Sequence, residues 1–145
     1  MLLKKIKKLI SISISLKLFY QLIKHRVAAS TECFKVLKTI PECKTIFDIG
    51  ANRGQFSMAA KYFYPKSSIV AFEPLIEPYK KFKKIFKNDS KVSIFNCAIG
   101  LQNKDTIIHK SKRDDSSSLL SITDNQSKIF PGTEEVGTTN IKMKK

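Results

Sequence analysis

From residue 44 onward, short apolar runs alternate with longer stretches whose apolar positions recur every three to four residues. Thr45–Ile49 (TIFDI) is a run stopped by Gly50, which predicts a buried strand. Residues 55–64 place Phe56, Ala59, Ala60 and Phe63 on one side of a helix that closes at Pro65. Ser68–Phe72 (SIVAF) predicts a second strand. Residues 75–86 predict a second helix, with Leu75, Tyr79, Phe82 and Phe86 inward and a lysine-rich back. Residues 92–98 (VSIFNCA) predict a third strand. Strand, helix, strand, helix, strand with short loops requires parallel strands joined by right-handed crossovers. The predicted class is therefore α/β, an incomplete doubly wound sheet. Past Gly100, turn residues 102–105 lead to a strand at 106–109, a polar stretch at 111–118, and a tail in which Ile141 and Met143 alternate as in a strand.

The first forty residues follow another rule. Leu2, Ile6, Leu9, Ile12, Leu16, Phe19, Ile23 and Val27 recur at steps of three and four, giving one apolar face of a helix. Lys4, Lys5, Lys8, Lys24 and Arg26 lie largely elsewhere on the wheel. The Ile-Ser alternation over 10–15 has a strand's period, but the helical spacing persists on both sides of it. Such a helix either packs on the domain that follows or lies on a membrane surface. Cys33-Phe34 and Val36-Leu37 predict a short second helix before Pro41. The chain divides into a basic helical segment, 1–40, and an α/β unit, 41–145.

Composition narrows the classes. The 145 residues carry 27 Lys plus Arg against 12 Asp plus Glu, a net charge of +15, and 42% are hydrophobic, which suffices for one domain with a core. The longest uncharged stretch near the start, residues 9–16, is far short of the roughly 20 apolar residues of a bilayer span. Three of its eight residues are serine and no small-residue cleavage site follows it, unlike a secretory signal. A cytoplasmic protein is expected, peripheral to the inner face of the membrane if the basic helix docks there. The charge draws a chain toward phosphates or anionic lipid. Nothing resembles a recognition helix, RNP aromatics or zinc ligands, so no nucleic-acid partner is expected. Cys33, Cys43 and Cys97 show no C-x-x-C spacing, which excludes a disulfide scaffold and disfavours a metal site.

The segment that carries chemistry is Asp48-Ile49-Gly50-Ala51-Asn52-Arg53-Gly54, where the first strand meets the first helix. Gly50 permits a sharp turn out of the strand. Gly54 lets the helix start approach the sheet or a ligand with no Cβ in the way. A dinucleotide site would want G-x-G-x-x-G here. This loop instead begins with an acid, which repels phosphate and suits a zwitterionic or cationic ligand. Glu73, in Phe72-Glu73-Pro74 at the end of the second strand, is placed to accept the hydroxyls of a ribose. An acid-led glycine loop with this glutamate describes S-adenosylmethionine better than NAD.

TIFDIGANRGQFS, VAFEPLIEPYKKFKK, VSIFNCAIG and DDSSSLL together resemble the FkbM family of S-adenosylmethionine-dependent methyltransferases, over about residues 44–145. The resemblance implies a Rossmann-like class I methyltransferase sheet and S-adenosyl-L-methionine as cofactor. It implies that Asp48, Gly50, Asn52 and Gly54 line the methionine end, that Glu73 holds the ribose, and that Asn96 to Ala98 lie beside the adenine. It implies transfer to a hydroxyl of a glycan or small secondary metabolite. Family members continue through a T-L-D segment and a strand with a K-x-D-x-E/Q-G-x-E pattern, whereas the match here reaches GTTNIKMKK. An incomplete copy is therefore expected, with the first strand unpaired on one edge. A non-catalytic fragment and a basic membrane-surface module remain as alternatives.

Other residues carry less. His109 is expected in a hairpin with a surface role, and His25 has no catalytic context. Cys97 reads as a small buried apolar residue. Ser116, Ser117 and Ser118 lack a G-x-S-x-G setting, so they either touch substrate or form a turn, and Asp114 and Asp115 leave the same two readings open.

Overall fold

The computed structural model describes Ile6 and residues 15–145. Three strands, β1 (Thr45–Ile49), β2 (Ser68–Phe72) and β3 (Val92–Phe95), form a parallel sheet in the order β1-β2-β3. Short apolar, β-branched runs build such strands because both faces of a parallel sheet are normally covered. Helices α3 (Gln55–Phe63) and α4 (Ile76–Phe86) supply the crossovers. Before them in the chain come α1 (Leu16–His25) and α2 (Phe34–Thr39).

Both crossover helices cover one face of the sheet. Ile46, Ile69, Ala71, Val92 and Ile94 pack there with Ala51, Phe56, Ala60, Phe82 and Phe86. Among the described residues nothing covers the opposite face: Phe47 and Ile49 are 65% and 63% exposed, and Phe95 is exposed beside Phe72, their rings stacked at 5.5 Å. Among the described residues β1 pairs with β2 alone, as expected of an edge strand.

The third expected strand is split. β3 ends at Phe95, the chain bends through Asn96 and Cys97, and β4 (Ala98–Ile99) joins a different sheet. The bend is held by the Asn96 side chain, whose Nδ2 donates to the carbonyls of Glu73 and Pro74, both at 2.9 Å. In the second sheet β4 runs parallel to β6 (Glu135–Lys144), and β6 runs antiparallel to β5 (Lys104–Ser111). β5 is longer than the 106–109 expectation because β6 pairs along its whole length. The alternating tail residues Ile141 and Met143 lie in β6 as the pattern requires, and Ile141 packs with Leu75, Ala98 and Ile108.

The N-terminal helix departs from the single apolar face expected through Val27. Ser15 caps α1 by accepting from the Leu18 amide, and Arg26 ends the helix in a left-handed conformation (φ 54°). Leu18 and Leu22 turn inward onto Met58, Ile85 and Phe86, and Val27 is buried after the helix has ended. Leu16, Phe19 and Ile23, three members of the expected face, point to solvent. Two apolar stripes run along this helix, and contact with α4 selects the other one. The expectations for Leu2, Leu9 and Ile12 lie outside the described residues. The short second helix is found as α2, preceded by a 3-10 turn at Thr31–Cys33. The Tyr64 hydroxyl, donating to the Ile40 carbonyl at 2.8 Å, ties α2 to the end of α3. Among the described residues, no helix is long and apolar enough to cross a membrane.

Candidate functional site

The loop from β1 into α3 turns on three left-handed residues: Gly50 (φ 79°), Asn52 (φ 45°) and Gly54 (φ 88°). At Gly50 a side chain would meet open space, so conformation alone calls for glycine. The amides of Gly50 and Ala51 both donate to the Phe72 carbonyl, at 2.9 and 3.0 Å, and pin the loop to the tip of β2.

Glu73 stands just past that tip and is 4% exposed. Its Oε2 accepts from the Asn52 amide and its Oε1 from the Leu75 amide, each at 2.8 Å. One carboxylate therefore locks the β1–α3 loop to the β2–α4 loop. Asp48, the fourth residue of β1, is also buried, and its Oδ2 accepts from the Ser57 hydroxyl at 2.5 Å. Asn96 adds a third strand tip by holding the carbonyls of Glu73 and Pro74.

Burial works against charge here. Desolvation is the largest influence on Glu73 and holds its carboxyl above the ordinary range; the amides of Leu75 and Asn52 oppose the rise, and the charges of Asp114 and Asp48 add to it. Burial likewise raises Asp48, opposed by its hydrogen bonds with Ser57. The two acids belong to one polar cluster, since Glu73 senses the charge of Asp48.

The polar stretch after β5 folds over this loop. Asp114 opens a 3-10 turn, Asp114–Ser116; its Oδ1 accepts from Asn52 Nδ2 at 3.2 Å and its Oδ2 pairs with Arg53. Of the readings left open for the acids, Asp114 touches the glycine loop, while Asp115 pairs with Arg113 at 3.1 Å. Ser117 and Ser118 shape the turn, accepting from the amides of Ser111 and Leu120. His109 faces Glu135 across the hairpin, Nδ1 to Oε1 at 2.9 Å, in the surface setting expected of it.

Asp48, Gly50, Asn52, Glu73 and Asn96 thus gather at the C-terminal ends of three parallel strands, where open α/β sheets bind ligands. Gly54 packs against α4. A Cβ there would come within 2.8 Å of Phe86 and 3.0 Å of Phe82, so glycine lets α3 begin against the rings of α4. Ala98 is set back from the strand tips, packed with Leu75, Ile108 and Ile141. A cavity of about 990 Å³ opens between residues 74–78 and the β5–β6 hairpin, bordered by Asn96, Lys110, Asp114 and Asn140. Asp48 and Glu73 do not line it; Asn96 and Asp114 link it to them.

Two contacts of this cluster escaped the sequence. Ser57 carried a faint signal, a small polar residue between Phe56 and Met58 in the first turn of the helix. The Arg53–Asp114 pair carried none, being sixty-one residues apart.

Chemically, the cluster favours partners that bring hydrogen-bond donors or positive charge. Each Glu73 oxygen keeps a lone pair beyond the one its amide uses. The single cation of the loop, Arg53, is paired with Asp114. Among the described residues, no group of three or more His, Cys, Asp or Glu is arranged to hold a metal.

No family model matches the chain. Over 81 residues the chain is 31% identical to the protein named Methyltransferase 1 of Beauveria bassiana (strain ARSEF 2860), which covers 54% of this chain and 32% of that protein. The chain spans about a third of the length of this relative, and over that span it is similar to a methyltransferase.

Proposed function

We propose that this chain carries the donor-binding loops of an S-adenosyl-L-methionine-dependent O-methyltransferase of the FkbM type, on a Rossmann-like class I sheet. The acceptor is a hydroxyl of a glycan or a secondary metabolite. The supporting observation is the Glu73 carboxylate, buried between two loops and electrostatically joined to Asp48. The similarity to a methyltransferase over 81 residues points the same way.

When bound, the cofactor supplies a methyl group on a positively charged sulfur, open to attack by an oxygen in line with the leaving sulfide. Glu73 accepts the ribose hydroxyls with its spare lone pairs, held rigid by the amides of Asn52 and Leu75. Asp48, Gly50 and Asn52 receive the methionine end, and the negative charge of Asp48 favours its ammonium group. Gly54 acts through packing, keeping the loop closed on α4. Asn96 borders the adenine with Ala98 packed behind it. A fixed set of acceptors acts by alignment, which lowers the entropy lost on reaching the transition state.

Calorimetric titration with S-adenosylhomocysteine tests the assignment. Asp48→Ala and Glu73→Ala should each weaken binding by about one to two orders of magnitude, the worth of a buried charge-assisted hydrogen bond. Asp48→Asn and Glu73→Gln keep the shape and separate loss of charge from loss of fold. Unchanged affinity in all four would remove the assignment.

A further inference from the structure

Helix α1 carries more apolar surface than its packing uses. Leu18 and Leu22 are spent on the core. Leu16 (86% exposed), Tyr20 (53%) and Ile23 (66%), flanked by Phe19, recur at helical spacing on the opposite side and stay in solvent. Lys17 and Lys24 run along one border of this outer stripe. Beside them is a cleft of about 510 Å³, whose far wall carries Lys84, Lys87 and Lys91 from the end of α4 and the turn after it.

Among the described residues no ion pair engages these lysines, and Lys91 donates to the Lys66 carbonyl at 2.9 Å. Lys17, Lys84 and Lys87 have no acidic partner among the described residues. Lys24 sits over the Tyr20 ring at 4.9 Å, its Nζ 2.6 Å from the hydroxyl. The carboxylate lining the cleft, Asp89, is engaged by the buried Lys61 at 3.3 Å. His25 reports the resulting field: burial first, then Lys24, Lys81, Lys84 and Lys87, hold its imidazole below the ordinary range.

We propose that the outer stripe of α1 and the lysines of the adjoining cleft form a docking surface for an anionic lipid bilayer. Leu16, Phe19, Tyr20 and Ile23 enter the boundary between headgroups and acyl chains, and Lys17, Lys24, Lys84, Lys87 and Lys91 bind headgroup phosphates. A narrow apolar stripe bordered by lysines, on a helix lying flat along the domain surface, is the form of an interfacial anchor. A nucleic acid would satisfy the lysines and leave the stripe in water. A second copy would set two cationic faces against each other on a chain of net charge +15. The proposal stands apart from methyl transfer, since none of its residues belongs to the strand-tip cluster.

Co-sedimentation of the full chain with phosphatidylcholine vesicles, with and without phosphatidylglycerol, tests it. Binding is expected to the anionic vesicles at low salt, about tenfold weaker to neutral ones, and weakened again by high salt. The surface variants Leu16→Ser/Ile23→Ser and Lys84→Glu/Lys87→Glu should each lose about tenfold in affinity for anionic vesicles, with melting temperature unchanged. Absence of binding, equal binding to both vesicle types, or full binding by the Leu16→Ser/Ile23→Ser chain would overturn the proposal. So would complete competition by an oligonucleotide that binds this serine variant as tightly as the parent.

Discussion

Glu73 accepts the backbone amide of Asn52 at 2.8 Å across twenty-one residues of chain, and its other oxygen accepts from Leu75 at the same distance. A single carboxylate thus sets the spacing between two strand-tip loops. Its burial makes that arrangement sensitive to protonation.

The sign of that sensitivity is fixed. Glu73 has a folded-state pKa above its unfolded one, so the folded chain holds its proton longer. The stability tied to that proton is present below the ordinary glutamate range and is lost as pH rises through the raised value. Glu73→Gln lacks this dependence. Urea denaturation of both chains from mildly acidic to neutral pH should show the parent losing stability relative to Glu73→Gln as pH rises. A constant difference would contradict the raised pKa.

Asp114 contributes to the rise at Glu73 through charge. Asp114→Asn keeps an acceptor for Asn52 and removes that charge, so the Glu73 carboxyl should titrate at lower pH. The lost Arg53 pair is partly exposed and should cost less than about 1 kcal/mol. Carboxyl-carbon NMR of selectively labelled Glu73 reads the shift, and an unmoved titration would contradict the coupling.

Gly54→Ala should be among the most damaging small substitutions. It forces a left-handed alanine, about 1–2 kcal/mol, and drives a methyl into Phe86 and Phe82, about 1–3 kcal/mol more. A loss of about 2–5 kcal/mol by chemical denaturation is expected, and a near-neutral result would show that α3 and α4 do not meet this closely.

The sheet face that the described residues leave exposed has its own consequence. Phe47 and Ile49 lie on an exposed edge strand, a setting prone to self-association. Phe47→Thr/Ile49→Thr should raise the monomer fraction at high concentration, with little loss of stability because neither side chain is buried. Size-exclusion profiles over a concentration series check this.

Much of the α/β unit was legible because its apolar runs are short, its helices strongly periodic and its punctuation clear at Gly50, Pro65 and Pro74. The gathering of Asp48, Gly50, Asn52 and Glu73 followed from the same rhythm, since strand ends in a parallel sheet lie side by side. What escaped depends on contacts between distant residues. Nothing in VSIFNCA announces that Asn96 will turn aside to hold the carbonyls of Glu73 and Pro74 and break the strand. Nothing near Gly54 in the sequence announces that Phe86 and Phe82 pack above it. In α1 two apolar stripes compete, and only the surface offered by Met58 and Ile85 decides between them.

The most direct test watches the hydrogen bonds of Glu73 while a ligand binds. In an amide-resolved NMR titration with S-adenosylhomocysteine, the resonances of Gly50, Asn52 and Leu75 should shift together and saturate at one common affinity. Saturable binding that leaves these three amides unmoved, or no binding at all, would contradict a cofactor site at the tips of β1 and β2.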